Sequence, residues 1–465
     1  MSLSNLHRPR HRFTILILLV ALVLSVTPML MFTTQAHAAN NHTTSRFTVN
    51  FKSIHYSFAT ATQTPPTDAF CRANFSVPCY SPQEMRRAYG VTPLLNSGAT
   101  GKGQTIVIID SFGSPTIRSD LKTFDRGYGL PDPPSFKILA PLGTVPFNPT
   151  KIPDQIGWAF ETTLDVDWSH AMAPDANIIL MTSPVDETEG VQGMPQFLFL
   201  EQYAVKHHLG QVISQSWGAT ENTLFTPAGK KILNSFNSFY QQATGAGWTF
   251  FASSGDFGSA NFELNGTTFY PFPTVSFPAS SPYVTAVGGT SLFASTSGVY
   301  NHETVWNNST GAGGGGISQY FKVPAYQQNN LPRSVQALLN GHRGLPDISW
   351  NADPDTSILV YISFLGGSNN GFYFIGGTSE GSPQWAGITA DADQLAGHPL
   401  GFLNRALYQL GNSSDYKQSF HDITVGTNSF AGVPGYDATR GWDLASGWGT
   451  PKTANMFSEL IQLIE

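Results

Sequence analysis

Apolar, β-rich runs alternate with helical stretches through the middle of this chain, and that rhythm limits what it can fold into more than any other feature. Residues 104–110 form an apolar strand ending in an acid, and 116–126 read as a helix. A second strand spans 176–181. Residues 194–209 are helical up to Gly210, and 211–216 make a third strand. Residues 228–243 are helical again, and 248–252 make a fourth strand. Buried strands alternating with helices imply an α/β fold, a parallel central sheet flanked by helices on both faces. In such sheets the chemistry sits beyond the carboxyl ends of the strands. That rule singles out Asp110, Trp217, Asp256 and Ser379, each at or just past a strand end. With 465 residues and 41% hydrophobic content, the chain can bury a large core as one α/β domain or two.

The most informative of these positions is Ser379. A strand-like run, 372–375, ends in Gly376-Gly377, and Thr378, Ser379, Pro383 and a small-residue helix over 385–390 follow. A serine on a glycine-preceded turn at a helix start exposes its hydroxyl, and backbone N–H groups there can meet a developing negative charge. The pattern Gly-Thr-Ser-x-x-x-Pro-x-x-Ala-Gly resembles the nucleophile segment of subtilisin-fold serine peptidases. Gly-Gly-Thr-Ser also occurs at Gly288-Gly289-Thr290-Ser291, after the β-rich run 283–287. No proline stands four positions on, and Leu292-Phe293 continue an apolar strand. Ser291 therefore reads as structural and Ser379 as the nucleophile.

Charged residues make up only 12% of the chain, well below the usual share of roughly a quarter. A surface poor in Asp, Glu and Lys changes little in charge as carboxylates protonate, which suits low pH. The net charge of -7 and the lack of a basic cluster in the body argue against nucleic acid as a partner. At the N-terminus, His7, Arg8, Arg10, His11 and Arg12 precede the apolar run 13–32, and Gln35-Ala36-His37-Ala38 ends in a small-x-small pattern. Residues 1–38 thus read as a signal peptide cleaved after Ala38, with an uncleaved membrane anchor as the alternative. A cleaved signal leaves a secreted, extracellular body with no stable membrane association. Residues 39–80 read as a polar extension. It holds the only cysteines, Cys71 and Cys79, which in an exported chain read as one small disulfide loop.

Serine needs a base, and none of the twelve histidines lies in the His-Gly-Thr context of subtilisins. His170, His207 and His208 sit at helix ends, where a cation complements the dipole. Where the catalytic helix is expected stand Glu161-Thr162-Thr163-Leu164-Asp165-Val166-Asp167. Glu161 and Asp165 share a helix face, repel one another, and when buried would share a proton. A third acid, Asp256, lies in the Gly-bracketed turn after the apolar run 250–252.

Glu161, Asp165, Asp256 and Ser379 together resemble the constellation of the sedolisin (serine-carboxyl peptidase) family, in its kumamolisin-like branch. The resemblance runs from Tyr80-Ser81-Pro82 and Tyr89-Gly90 through Ser216-Trp217-Gly218, Phe277-Pro278-Ala279 and Gly314-Gly315-Gly316-Ile317-Ser318. It continues in Arg343-Gly344-Leu345-Pro346-Asp347, Gly441-Trp442-Asp443 and Gly447-Trp448-Gly449, so that 81–465 form the peptidase domain. It implies a subtilisin-like fold and an acid-acting endopeptidase on protein or peptide substrates, expected to be a monomer. Ser379 would be the nucleophile, Glu161 the general base, Asp165 the acid orienting it, and Asp256 the oxyanion donor. Asp110 falls where the family pattern has Glu, and with Trp217 would support that network. The resemblance also implies one calcium ion, held by the side chains of Asp422 and Asp443 and the carbonyls of Ile423, Thr439 and Gly441; Asp437 stands in similar context but at the wrong spacing from Gly447. Family members usually carry a large N-terminal prodomain, whereas only residues 39–80 separate Ala38 from the peptidase pattern. Either the Cys-bearing strap substitutes for it, or this branch folds without one. A non-catalytic exported scaffold of the same fold is the alternative function; a His-dependent neutral subtilisin is disfavoured by the missing His-Gly-Thr.

Overall fold

The computed structural model describes residues 55–465; the basic segment, the apolar run 13–32 and the expected cleavage after Ala38 lie outside the described residues. In chain order the strands of the two main sheets are β1 (His55–Thr60), β2 (Cys79–Tyr80), β3 (Thr105–Ser111), β4 (Phe136–Leu139), β5 (Asn177–Ser183) and β6 (Val212–Gln215). They continue with β7 (Thr249–Ser253), β8 (Thr285–Ala294), β9 (Tyr300–Val305), β10 (Ile348–Asn351), β11 (Ser357–Ile362) and β12 (Gly371–Gly376). Four long helices position the site: α1 (Gln155–Met172), α2 (Met194–Lys206), α3 (Pro227–Gly245) and α4 (Gly381–Ala396).

In the central sheet β4, β5, β3, β6, β7 and β8 lie side by side in that order, every pair parallel. β10 adds to β8 in parallel, and β9 returns antiparallel along its end. The two-residue period of a strand sends alternate side chains to opposite faces. Ile106, Ile108, Ile178 and Leu180 enter one core with Phe160 and Leu164 of α1 and Ile388 of α4. Val107, Ile109, Ile179 and Met181 enter a second with Phe197 of α2 and Phe236 of α3. With both faces covered, the strands read as unbroken apolar runs, and each fully buried aliphatic side chain contributes about 1.5–3 kcal/mol. The expected architecture, a parallel sheet flanked on both faces, is what the chain builds.

The strand leading to Ser379 is the exception. β12 is not in the central sheet; it belongs to a four-stranded sheet of order β1-β12-β11-β2. The reason is local: β11 and β12 are joined through a short 3-10 turn at Gly367–Asn369, so they pair antiparallel as a hairpin. The outer edges of this sheet come from the N-terminal extension. β1 runs antiparallel to β12, pairing His55 with Gly376, and β2 lies parallel to β11. Between them Cys71, on the helix Asp68–Phe75, is disulfide-bonded to Cys79. The Asp68 carboxylate accepts the Cys79 N–H at 3.0 Å and pairs with Arg72 at 2.7 Å. Residues 55–80 are thus built into the fold. Among the described residues no helix is long and apolar enough to cross a membrane.

Candidate active site

Two helices carry the expected catalytic groups, and one glycine lets them meet. A Cβ on Gly387 of α4 would lie 2.6 Å from Met172 Cβ and 2.9 Å from the Ser169 carbonyl of α1, so no larger residue permits this crossing. The start of α4 is thereby laid beside α1, at the carboxyl ends of β3, β6 and β7. Just before α4, Gly377 takes φ of 128°, a region that favours glycine, and Thr378–Glu380 form a 3-10 turn presenting Ser379.

Glu161 and Asp165 stand one turn apart on α1, as their spacing requires. The hydroxyls of Ser379 and Ser216 lie beside the Glu161 carboxyl and draw its pKa down. The Ser216 hydroxyl, just past β6, also donates to Asp165 at 2.8 Å, so it links the two acids. Asp165 is in turn hydrogen-bonded to Asp110 at the end of β3, and Asp110 accepts the Thr162 hydroxyl at 2.9 Å. Ser379 and Glu161 are each 3% exposed and Asp165 and Asp110 wholly buried. Removal from water pushes all three carboxyls above their ordinary range. Glu161 is raised further by the Asp110 charge, and Asp165 by Asp110 and Glu161; the donors Ser379 and Ser216 pull Glu161 back. Asp110 and Asp165 titrate as a pair, and burial favours a shared proton between them.

Asp256 comes from the turn after β7. Its Oδ1 accepts the Thr378 N–H and the Thr378 hydroxyl, both at 2.7 Å. Its Oδ2 is buried and finds no partner among protein groups. Burial raises its pKa to about 7, against the pull of the Thr378 donors, so in acid it is a neutral carboxyl, and with Oδ1 accepting both Thr378 donors the proton falls on Oδ2. Thr378 is held by the Gly255 N–H, which donates to its hydroxyl at 3.0 Å.

Of the residues singled out from sequence, Asp110, Glu161, Asp165, Asp256 and Ser379 come together in one network. Trp217 does not join it by hydrogen bonding. Its indole N–H has no partner, and its ring packs on Phe197 at 4.4 Å and Phe236 at 6.1 Å in the α2–α3 core. Ser291 donates to Asp353 at 2.6 Å from within β8, a structural role. His170 ends α1 against the Pro131 carbonyl at 2.7 Å and Asp125 at 3.4 Å, and burial lowers its pKa to about 4. Sequence reading gave no role to Thr162 or Thr378, and Ser216 entered only as part of a motif. Their signal was faint: each is a hydroxyl flanking a strand end or an acid.

Toward the C-terminus, Asp422 and Asp443 face the same stretch, residues 439–441. Asp422 accepts the Gly441 N–H at 3.0 Å, and Asp443 accepts the Thr439 N–H at 2.7 Å. The Tyr416 hydroxyl donates to Asp422 at 2.8 Å, and burial, with both carboxylates adding to it, raises its pKa. Two carboxylates beside a carbonyl-rich turn form an oxygen donor set, which fits calcium and suits no soft metal. Among the described residues no group of three or more His, Cys, Asp and Glu could hold a metal by side chains alone.

No family profile matches the chain. It is 34% identical over 388 residues to kumamolisin from Bacillus sp. (strain MN-32), covering 82% of this chain and 64% of that protein. To sedolisin from Pseudomonas sp. (strain 101) it is 32% identical over 385 residues, covering 81% and 60%. The chain thus spans somewhat under two thirds of these relatives' length. The solved structure of Pseudomonas sedolisin, a serine-carboxyl proteinase complexed with two molecules of pseudo-iodotyrostatin, superposes with a TM-score of 0.67 at 30% identity. That match covers 82% of this chain and 98% of the solved one. Identity of 34% to kumamolisin over 82% of this chain, with a sedolisin structure superposing on the same share, places the chain in the sedolisin family.

Proposed function

We propose that this chain is a secreted serine-carboxyl endopeptidase that hydrolyses peptide bonds in acid. The observation that carries the reading is the buried apposition of the Ser379 hydroxyl and the Glu161 carboxyl, set beside the unpartnered Oδ2 of Asp256. Ser379 Oγ attacks the scissile carbonyl carbon while Glu161 takes its proton. The carbonyl oxygen becomes an oxyanion and accepts the O–H of Asp256. Glu161 then passes its proton to the leaving amine, and water repeats the sequence on the acyl-serine.

Charge balance explains how carboxylates do this in acid. Glu161 must be ionised and Asp256 neutral at the same time. Burial raises Glu161 most, and the Asp110 and Asp256 charges raise it further; when Asp110, Asp165 and Asp256 are protonated that repulsion is gone, and Glu161 is left to hold the single negative charge of the cluster beside the Ser379 hydroxyl. Asp165 acts through Ser216, which donates its hydroxyl to Asp165 and stands beside Glu161. Asp110 supports Asp165.

The side chains of Asp422 and Asp443, with the carbonyls of Ile423, Thr439 and Gly441, would hold one calcium ion that ties the C-terminal segment to the domain. The Cys71–Cys79 disulfide and the basic-then-apolar N-terminus support secretion. Action on interior bonds is supported by likeness to a protein described as a proteinase. A monomer acting on proteins or peptides completes the reading.

Hydrolysis of an internally quenched peptide, blocked at both ends, across pH 2–8 tests it. Turnover confined to acid and lost in Ser379→Ala is expected. No turnover by the wild-type chain at any pH would favour a non-catalytic scaffold.

A further inference from the structure

The residue after the nucleophile is itself a buried acid that the mechanism above does not use. Glu380 closes the 3-10 turn Thr378–Glu380 and has no exposed surface. The Asn351 amide donates to its carboxyl, at 3.0 Å to Oε2 and 3.4 Å to Oε1. Among the described residues no basic group acts on it. The charged groups facing it are Asp353, in the turn after β10, and Asp256, after β7. Tyr89, ahead of β3, feels its charge as well.

Asn351 is itself locked on every side. Its Oδ1 accepts the Leu292 N–H at 2.9 Å and the Thr356 hydroxyl at 2.7 Å, and its Nδ2 also donates to the Thr356 carbonyl at 2.8 Å. Its backbone N–H donates to the Tyr89 hydroxyl at 3.0 Å, which donates in turn to Glu303 at 2.6 Å. Glu303 accepts hydroxyls from Thr290 and Thr450 as well. A buried polar chain therefore runs from the nucleophile turn across β10 and β8 to the C-terminal segment. A solitary acid placed in such a site is costly to ionise, and a plain apolar residue would fill the same space without that cost.

Resting on the reading of Ser379 as nucleophile, we propose that Glu380 is a positioning residue: its carboxyl clamps the Ser379 turn to Asn351, and only its neutral form leaves the oxyanion side of the site unopposed by a further negative charge. Ionised, Glu380 would place a charge facing Asp256, disfavouring the oxyanion. Burial and the charges of Asp353 and Asp256 hold it protonated well past the ordinary carboxylate range, while Asn351 pulls the other way. Activity is thereby confined to the pH range in which this acid stays neutral.

The test uses Glu380→Gln and Glu380→Ala in the full chain, with kcat and KM measured from pH 2 to 8 and folding checked by thermal melts. Glutamine keeps the shape and a neutral polar end. Its kcat at pH 4 should stay within about threefold of wild type, and its high-pH limb should move upward. Alanine frees the turn, so kcat should fall at least about tenfold with KM unchanged within about twofold. Superimposable pH profiles for wild type and Glu380→Gln would overturn the proposal, as would a folded Glu380→Ala with wild-type kcat. If the alanine variant fails to fold, the glutamine profile alone decides. An inactive wild type, or an active Ser379→Ala, would instead sink the peptidase reading itself.

Discussion

Asp256 offers the sharpest quantitative test of the mechanism, because one carboxyl is asked to be both buried and neutral. Its value of about 7, against an ordinary 3.8, corresponds to on the order of 4 kcal/mol between its protonation states. As an oxyanion donor it works only when protonated. That fraction is about 99% at pH 5, about half at pH 7 and about a tenth at pH 8. A donor-limited rate should fall about tenfold per pH unit above 7. The same shift acts on stability with a definite sign. Since the folded-state value is raised, the stabilisation is fully present below about 3.8 and is lost as pH climbs toward about 7. Asp256→Asn separates the two roles. Asn keeps an oxygen for the two Thr378 donors and puts an N–H where Oδ2 was, but cannot ionise. It should retain activity within about tenfold at pH 4 and lose the Asp256 part of the high-pH limb. Asp256→Ala removes the donor and should cost about 10²–10³ in kcat. The assay is kcat/KM on a quenched peptide from pH 2 to 8, with thermal melts over the same range. A high-pH limb identical in wild type and Asp256→Asn, together with near-normal turnover by Asp256→Ala, would refute the reasoning.

Three further outcomes follow from the same geometry. Ser379→Ala should abolish turnover and leave the melt unchanged, whereas Ser291→Ala loses only its bond to Asp353 and should keep full kcat; activity in the first variant would remove Ser379 from the mechanism. Glu161→Gln cannot take the serine proton, and kcat should drop by roughly three or more orders of magnitude with little change in KM; a loss below tenfold would mean that another group is the base. Chelator should lower the melting temperature of the wild-type protein at pH 5, by mass action, and leave Asp443→Ala unaffected; an equal response in both would put any calcium elsewhere.

What the amino-acid sequence revealed depended on the range of the interaction. Strands β3, β5, β6 and β7 were legible because burial on both faces writes an uninterrupted apolar run. The pairing of Glu161 with Asp165 was legible because helical spacing alone puts them on one face. Contacts made across the fold left no such trace. Nothing near Asp165 in sequence says that its carboxyl meets Asp110, or that Ser216 links it to Glu161. Glu380 looked like one more variable position in Gly-Thr-Ser-x-x-x-Pro, since its meaning comes from Asn351 on another strand. Trp217 shows the other limit: its place at a strand end suggested a role in the network, and its ring packs on Phe197 and Phe236 in the core. The strand before Ser379 was rightly seen as a strand, but its sheet was fixed by the hairpin with β11, a partner that local pattern does not name.

Synthesis gives the pairing of β1 with β12 a temporal meaning. A chain is made from its N-terminus, so His55–Thr60 exist long before their partner Gly371–Gly376 has been added. Until then β1 has no strand to bind, and the strand that delivers Ser379 has not been made. The acids on α1 and the turn after β7 likewise wait for a serine near the far end of the chain. Contacts this distant in sequence form late. With Ser379 as the proposed nucleophile, a growing or half-folded chain would be unable to cut its neighbours, because the proposed site is complete only once β12 has joined the sheet.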